Sequence, residues 1–303
     1  MRSLPKCLTR YISVFAVVLF LCSALYAENA GVGTNEDFRG PVGLQMYSLR
    51  SISEKDGVES AVKLAAEMGF KYIEASRSFD LTIEEYQALL EKYGLKAGAK
   101  NWGVDMFQSE EKIRQVIHEA RVLGIQYVGI AWFPHKRGAF SMADAQRAVE
   151  LFNAAGKRLQ KEGLTFVYHN HGYEFQPWEG GKEGETLFDY IIQNTDPKTV
   201  TFEMDVLWTI FPGADPAALL RKYPDRFALM HLKDLKKGVE GNLTGGTPVT
   251  NDVALGSGQA NYPEILKAAQ NAGVKFYFIE DESPVFRTQI LESLRYLESV
   301  ELK

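Results

Sequence analysis

The feature that most constrains the fold of this chain is a short apolar segment followed by a longer amphipathic one, repeated along the chain. The short segments are mostly aliphatic, β-branched or aromatic, and polar or glycine-containing turns follow them, as expected of buried strands. The eight predicted strands are Val42–Tyr47, Tyr72–Ala75, Lys96–Ala99, Tyr127–Ala131, Thr165–His169, Val200–Met204, Phe227–Leu232 and Lys275–Glu280. Eight such units within about 260 residues predict a closed (β/α)8 barrel, an α/β fold of one domain.

Hydrophobic residues recur at helical spacing between these strands. The predicted helices include Val58–Met68, Ile83–Tyr93, Glu110–Leu123, Ala143–Glu162 and Ile265–Ala272. A glycine follows each of these five helices, as is typical of helix C-termini, and Asp215-Pro216 and Ser283-Pro284 are typical helix starts. An open doubly wound sheet is the alternative, but residues 45–50 contain no glycine for a phosphate-binding loop.

The first residues have the layout of a secretory signal peptide. Three basic residues precede an apolar run at 11–25, which ends in small residues. A transmembrane anchor is the alternative, but the apolar run is shorter than the ~20 residues of a spanning helix. We therefore expect residues 1–27 to be a cleaved signal peptide, residues 28–40 a linker, and residues 41–303 the barrel.

Export would place the protein in the periplasm, with the extracellular space and a lipid anchor at Cys22 as alternatives. Cleavage would remove both cysteines, Cys7 and Cys22, so any catalytic metal must be held by His, Asp or Glu. Cleavage would also remove three basic and no acidic residues, which changes the net charge from -5 to -8. This charge argues against a nucleic-acid partner, and we expect no membrane association after cleavage.

Aromatic and imidazole side chains concentrate just after predicted strands, where barrels of this type place their active sites. Trp102, Trp132, Trp178 and Trp208 follow the third to sixth strands. Aromatic faces at this rim suit the stacking of sugar rings, although loop packing would explain any single one of them. We therefore predict that Trp102, Trp132 and Trp208 contact a carbohydrate.

Four ionisable residues lie at or just after the ends of four consecutive strands. His169 ends the fifth strand, Asp205 follows the sixth, His231 lies in the seventh and Glu280 ends the eighth. In a barrel these side chains would converge, and two imidazoles with two carboxylates suit one divalent ion. The donor set predicts a site for Mn, Co, Zn, Ni, Fe or Mg without selecting among them.

The ordered motifs of the chain resemble those of the xylose isomerase-like TIM-barrel superfamily, which includes sugar phosphate isomerases/epimerases, inosose dehydratases and keto-glycoside lyases. The matching segments are GLQMYSLR (43–50), YHNHGYEF (168–175), FEMDV (202–206), PGADPAALL (212–220), HLKD (231–234), LGSGQANYPEIL (255–266) and FIEDE (278–282). The resemblance implies a divalent metal held by residues at the ends of strands five to eight, and Asp205, His231 and Glu280 match three of these positions.

The fifth strand departs from the family pattern, because His169 stands where the resemblance implies a glutamate. Ketose 3-epimerases of the family are thought to use two opposed glutamates, so the loss of one favours proton removal followed by β-elimination. We expect a lyase or dehydratase acting on a keto-sugar or keto-glycoside, with an aldose-ketose isomerase or ketose 3-epimerase acting on an unphosphorylated sugar as the alternative. Glu174 remains a candidate second acid or base.

Roles follow for the other candidate residues. His171 or Glu280 is the candidate base, and Lys233 is a candidate for stabilising an oxyanion or protonating a leaving group, although it could simply pair with Asp234. The candidate substrate contacts are Gln45, Tyr47, Glu74 and Asn170, beside the three tryptophans.

The long segment 233–261 is rich in Gly, Thr and Asn, which predicts a lid or substrate loop, with a disordered insertion as the alternative. Within it, Gly256-Ser257-Gly258 is a weak candidate for a phosphate cradle. Two further readings stay open for the whole chain: a metal-dependent abasic-site endonuclease and a noncatalytic sugar-binding barrel. A homo-oligomer is compatible with the sequence.

Overall fold

Eight parallel strands form the centre of the computed structural model, which describes residues 31–78 and 80–302. The barrel strands are β1 (Val42–Gln45), β2 (Tyr72–Ala75), β3 (Lys96–Asn101), β4 (Tyr127–Ile130), β5 (Thr165–His169), β6 (Val200–Asp205), β7 (Phe227–Leu232) and β10 (Phe276–Ile279). A short antiparallel hairpin of β8 (Asp234–Leu235) and β9 (Asp252–Val253) follows β7. β1 pairs with both β2 and β10, which closes the ring and confirms the predicted barrel.

The predicted strands are confirmed, with shifts of one or two residues at several ends. β1 stops at Gln45 because the Gln45 side chain accepts a hydrogen bond from the Tyr47 backbone and starts a 3-10 turn over Met46–Leu49. β3 continues to Asn101 and β6 to Asp205, so both strands carry polar side chains to the mouth of the barrel.

The helices are α1 (Arg50–Asp56), α2 (Val58–Glu67), α3 (Ile83–Lys92), α4 (Glu110–Leu123), α5 (Met142–Gln160), α6 (Leu187–Asn194), α7 (Val206–Ile210), α8 (Pro216–Lys222), α9 (Tyr262–Asn271) and α10 (Phe286–Ser299). Gly124 ends α4 in the left-handed conformation that glycine adopts without strain.

The two predicted helix starts have different outcomes. Asp215 caps α8, because its side chain accepts a hydrogen bond from the Ala218 backbone and Pro216 is the first helical residue. The prediction at Ser283-Pro284 is wrong. α10 begins later, at Phe286, after Val285, which makes no side-chain cap. The Ser283 hydroxyl instead accepts a hydrogen bond from the Val285 backbone, within the turn before the helix.

The interior of the barrel is filled beneath the mouth. Phe278 is fully buried there with Ala99, Val167 and Leu229. Its ring fits because Gly43 carries no Cβ, which would stand 2.8 Å from the ring. This apolar plug makes the barrel a packed core, so a ligand is confined to the C-terminal mouth.

The segment before β1 packs against the last helix. The Asn35 amide donates to the backbone carbonyls of Leu297 and Val300, and the buried Phe38 ring meets Tyr277 edge-on at 5.0 Å. The predicted signal peptide at 1–27 lies outside the described residues. Within residues 31–78 and 80–302, none of the helices has the length and apolar character needed to cross a bilayer.

Candidate active site

A cavity of about 860 Å³ opens at the C-terminal ends of the strands. The side chains at its inner end come from five different strand ends or the loops that follow them, namely Gln45, His169, His171, Trp208, His231 and Glu280. Because each strand delivers its last residues to the same mouth, side chains far apart in sequence meet here.

The four predicted metal ligands converge at this inner end. One donor atom from each of His169, Asp205, His231 and Glu280 lies within 4.8 Å of all the others. The Nε2 atom of His169 is 3.0 Å from Nδ1 of His231 and 3.5 Å from Oδ2 of Asp205. The Nδ1 atom of His231 is also 3.1 Å from Oε2 of Glu280. These spacings bring two nitrogen and two oxygen donors around one point.

Asp205 is oriented by its own backbone surroundings. Its Oδ1 atom accepts a hydrogen bond from the Trp208 backbone at 2.8 Å and caps α7, and its backbone N–H donates to Oδ1 of Asn170 at 3.1 Å. Its Oδ2 atom is buried and finds no hydrogen-bond donor among the described residues. A buried carboxylate oxygen without a donor is costly, and a bound cation would satisfy it, so the residues present fit a divalent ion.

The charges of the cluster also suit a cation. Burial opposes ionisation of Glu280, but Lys233 and His231 lower its pKa to about 2. Burial likewise opposes ionisation of Asp205, yet the neighbouring imidazole rings of His169 and His231 hold its pKa well below the usual range. Both carboxylates are therefore ionised at neutral pH and available as ligands.

A second layer of carboxylates lies beneath the cluster. Glu74 and Glu203 are fully buried, and each approaches Nε2 of His231: Glu74 is hydrogen-bonded to it and Oε1 of Glu203 lies 3.3 Å away. The Gln45 and Asn101 amides also donate to Glu74. Burial and the charge of Glu203 raise the pKa of Glu74 to about 7.

This layer changes the role predicted for Glu74. We expected it to orient substrate hydroxyls, but the described cavity wall does not include it, and its carboxylate instead holds the His231 ring. Sequence reasoning missed Glu203. It lies two residues before Asp205 on the same strand, and this spacing places both side chains on one face of β6.

His171 lies in the cavity wall beside the cluster. Its ring stacks on Trp208 with centroids 4.4 Å apart and meets Trp132 edge-on at 4.9 Å. Burial and the neighbouring His169 lower the pKa of His171 to about 3. The imidazole is therefore neutral at neutral pH, and the same shift makes it a weaker base than an ordinary histidine.

Two other predicted residues support the site from behind the cavity wall. The buried Glu174 accepts hydrogen bonds from the His171 backbone and the Tyr168 hydroxyl, and Asn170 joins Asp205 to Thr209. The described cavity wall includes neither residue. Glu174 therefore shapes the turn that carries His171, and the structure does not place it as a second acid or base.

Lys233 is also behind the wall. It is 1% exposed, and its Nζ atom is 2.6 Å from Glu282 and 3.5 Å from Glu280. Burial favours the neutral amine, but Glu280, Asp252 and Glu282 together raise the pKa of Lys233 well above its usual value. Lys233 is thus a buried ammonium that fixes Glu280. The sequence suggested Asp234 as the partner of Lys233, but the Asp234 carboxylate instead accepts hydrogen bonds from the backbone of residues 256–260.

The remaining predicted contacts all lie in the cavity wall. Gln45, Tyr47, Trp102, Trp132 and Trp208 line the cavity. Trp178 lines a separate groove of about 320 Å³ formed by residues 177–186. Sequence reasoning missed several charged or polar lining residues: Arg77, Lys100, Asn101, Glu119 and Glu282. The rule that selected His169 would also have selected Lys100 and Asn101, which end β3.

The segment 233–261 is anchored through Asp234. Its Oδ2 atom accepts hydrogen bonds from the Gly256 and Gly258 backbones at 3.0 Å, and Oδ1 accepts from Ala260 at 3.1 Å. The phosphate cradle considered for Gly256-Ser257-Gly258 is therefore wrong, because a carboxylate of the chain itself already occupies these N–H groups. The β8–β9 hairpin fixes the base of the loop, and Gly245 in its middle approaches the His171 backbone.

Comparison with known proteins agrees with this architecture. Residues 62–300 match the family model described as "Xylose isomerase-like TIM barrel". The chain belongs to this family. A curated relative, the inosose dehydratase of Geobacillus kaustophilus, is 27% identical over 195 residues, which cover 57% of this chain and 61% of the relative. The alignment thus spans less than two thirds of that relative's length.

Solved structures of other proteins share the barrel. A sugar phosphate isomerase/epimerase from Parabacteroides distasonis superposes with a TM-score of 0.68 at 23% identity, covering 87% of this chain and 97% of that one. The IolI protein, solved with a bound zinc atom, superposes with a TM-score of 0.63 at 13% identity, covering 84% of this chain and 94% of that one. At these identities the likeness concerns the fold.

Proposed function

We propose that this protein is a metal-dependent carbohydrate lyase or dehydratase. It removes the proton α to the carbonyl of a keto-sugar or keto-glycoside and expels a β-substituent. The observation that carries the proposal is the convergence of His169, Asp205, His231 and Glu280 around one point, next to His171 in the cavity wall. The inosose dehydratase relative supports elimination as the reaction class.

The four converging residues are the ones that would hold the ion. The orphaned Oδ2 atom of Asp205 and the mixed nitrogen and oxygen donors support a divalent cation. When bound, such an ion polarises a sugar carbonyl and makes the adjacent C–H more acidic. The zinc in the IolI protein supports the same type of site, and we propose Mn, Co, Zn, Ni, Fe or Mg as the candidates.

His171 performs the proton transfer in this proposal. The neutral ring takes the proton from the carbon, and the electron pair of that C–H bond forms a C=C bond as the C–O bond to the β-substituent breaks. Water or an alcohol then leaves with a proton from the imidazolium or from solvent. Trp132 and Trp208 flank the ring and exclude water from it, while Gln45 and Tyr47 in the wall contact sugar hydroxyls.

Isomerisation or epimerisation is the second candidate, because Glu280 and His171 both line the cavity and two groups could exchange protons with one substrate. It requires Glu280 to leave its place among the ligands. Elimination needs only one base, and the position of Glu174 behind the wall supports it over a two-base reaction.

Proton NMR in deuterated water tests both candidates. The Mn²⁺-loaded protein is mixed with ketoses, inososes and 3-keto-glycosides, and deuterium entry and product release are followed together. Release of water or an aglycone supports the lyase, whereas deuterium entry without loss of a substituent supports the isomerase or epimerase. Binding without either signal across the panel would favour a sugar-binding barrel, and cleavage of an abasic-site duplex would favour the endonuclease.

We also propose that the protein acts after export, most simply in the periplasm, on a free carbohydrate and without a nucleic-acid partner. The basic and apolar layout of residues 1–27 and the net charge of -8 for the remainder support this. N-terminal sequencing of the protein recovered from cell fractions of its host tests it, and an uncleaved cytoplasmic form would contradict it.

A further inference from the structure

The cavity is larger than the space that one sugar ring needs at the ligand cluster, by which we mean the converging side chains of His169, Asp205, His231 and Glu280. Its volume is about 860 Å³, whereas a six-carbon sugar fills only about 200 Å³ at the packing density of protein interiors. Cavities of about 300–1,000 Å³ typically enclose drug-sized ligands and bury most of their surface. A free monosaccharide bound at the cluster would leave most of this cavity to solvent.

One part of the cavity wall, which we call the outer arm, is built by residues other than those of the ligand cluster. We define the outer arm by its lining residues Arg77, Lys100, Trp102, Met106, Gln115 and Glu119. These residues come from the turn after β2, from the end of β3 and the turn that follows it, and from the face of α4 that packs over β3. The arm is therefore continuous with the ligand cluster but built from different elements.

The polar groups of the outer arm are held in fixed positions. The Lys100 ammonium donates to Oε2 of Glu119 at 2.6 Å, and the Trp102 indole N–H donates to the same oxygen at 2.9 Å. The Gln115 amide donates to the other oxygen of Glu119 at 3.0 Å. Lys100 is only 8% exposed although it lines the cavity. A nearly buried ion pair at a cavity wall is preorganised, so it binds a polar ligand without first losing side-chain entropy.

The chemistry of this wall matches a second sugar ring. The apolar surfaces of Trp102 and Met106 suit the C–H face of a pyranose, and an ammonium, a carboxylate and an amide together both donate to and accept from hydroxyls. An aromatic aglycone would use the apolar surfaces but would remove water from the ion pair without offering it hydrogen bonds, which is costly.

We propose that the outer arm is a second sugar-binding subsite and that the substrate is a glycoside of at least two sugar rings. The ring with the keto group lies at the ligand cluster, and the second ring contacts Lys100, Trp102 and Glu119. This assignment rests on the proposed function for the identity of the first ring. A purely structural role for the Lys100–Glu119 pair, joining β3 to α4, predicts lower stability in variants without any change in substrate preference.

The test compares a 3-keto-disaccharide with the matching 3-keto-monosaccharide on the Mn²⁺-loaded protein. Loss of a hydrogen bond between a charged group and a ligand lowers affinity by about tenfold or more. We expect the disaccharide to have a kcat/KM at least about tenfold above that of the monosaccharide, and Lys100→Met and Glu119→Gln to bring this ratio close to one. Lys112→Met is the matched control, because Lys112 lies on α4, the helix that carries Glu119, and forms an exposed pair with Asp105.

Calorimetric titration with the disaccharide separates this proposal from the proposed function. Tight disaccharide binding that both variants weaken, without any turnover, would support the subsite and contradict the reaction. Turnover with equal kcat/KM for the two sugars in the unmodified protein would support the reaction and overturn the subsite. The subsite would also be overturned if both folded variants kept the preference for the disaccharide. The same holds if an aromatic glycoside, and not the disaccharide, were preferred over the monosaccharide.

Discussion

The Nε2 atom of His231 is hydrogen-bonded to the carboxylate of Glu74 on the side of the ring opposite to its Nδ1 atom, which faces the ligand cluster. A carboxylate at one imidazole nitrogen holds the proton there and leaves the lone pair of the other nitrogen for a metal. The two carboxylates beneath the cluster therefore set the tautomer of a predicted ligand.

We predict that Glu74→Gln weakens divalent-metal affinity by about 10–100-fold, the usual effect of losing such a partner. An amide also hydrogen-bonds His231 but does not carry the charge that favours an N–H at Nε2. Competition with a chromogenic chelator measures the affinity. Glu67→Gln, an exposed change on α2, serves as the control, and unchanged affinity in Glu74→Gln would show that the tautomer is set elsewhere.

Removal of a direct ligand should have a larger effect. Asp205→Asn keeps an oxygen that accepts the hydrogen bond from Trp208 and caps α7, but it loses the negative charge at the position of the orphaned Oδ2 atom. We expect metal affinity to fall by more than about 100-fold while the thermal midpoint of the metal-free protein changes little. His231→Ala should weaken metal binding similarly, and chelation should abolish deuterium exchange. Full activity in the metal-free protein would contradict the proposed function.

His171→Gln separates proton transfer from metal binding. The side chain lines the cavity without being one of the converging ligands, so the variant should bind metal normally. Deuterium exchange into the substrate should fall by about 100-fold or more, the usual contribution of a general base. Parallel metal titration and NMR measure the two properties, and exchange at the unmodified rate would move the role of base to Glu280.

Asp234 should contribute to stability through the segment that follows β7. In Asp234→Ala the N–H groups of Gly256, Gly258 and Ala260 lose a largely buried carboxylate, which we expect to lower the free energy of unfolding by ~2–4 kcal/mol. Urea denaturation measures the change, and limited proteolysis should show new cleavage within 236–261. Resistance equal to that of the unmodified chain would mean that the β8–β9 hairpin alone fixes the loop.

Asp189 predicts how stability depends on pH. Burial opposes its ionisation, but Lys222 at 2.6 Å, the Thr186 backbone and Tyr223 together lower its pKa below the ordinary value. A carboxyl whose pKa is lower in the folded state stabilises the fold above its unfolded pKa, and this contribution is lost as pH falls through the folded pKa. Asp189→Asn should therefore be destabilising near pH 7, with the difference shrinking towards about pH 3. Urea denaturation at both pH values checks this. A difference independent of pH would assign the loss to the hydrogen bonds by which Asp189 and Thr186 cap the start of α6.

Much of the barrel could be predicted because its elements carry local signals. β5 and β7 have the predicted bounds, since an apolar run framed by a helix-ending glycine or a turn leaves little choice of position. α4 also has its predicted bounds, between Ser109 as a side-chain cap and Gly124. The start of α10 was misplaced because Ser283-Pro284 suits both a turn and a helix start, and tertiary packing selected the turn.

The convergence of the four candidate ligands could be predicted for a similar reason: strand ends in a closed barrel meet at one mouth, so position along the chain brings His169, Asp205, His231 and Glu280 together. Position along the chain does not predict how deep below the mouth a side chain lies. Glu74 and Gln45 are register partners on neighbouring strands, yet only Gln45 lines the cavity, because the Glu74 carboxylate is hydrogen-bonded to the His231 ring and the Gln45 amide.

The sequence by itself therefore determined the repeat, the closure into eight strands and the residues delivered to the mouth, because each depends on local periodicity and on the parallel direction of the strands. Only the tertiary structure decided that Glu74 and Glu203 meet His231, that Asp234 fills the glycine turn, and that Lys100 pairs with Glu119. Each of these contacts joins residues on different elements, and its existence depends on strand stagger and helix packing, which no single segment encodes.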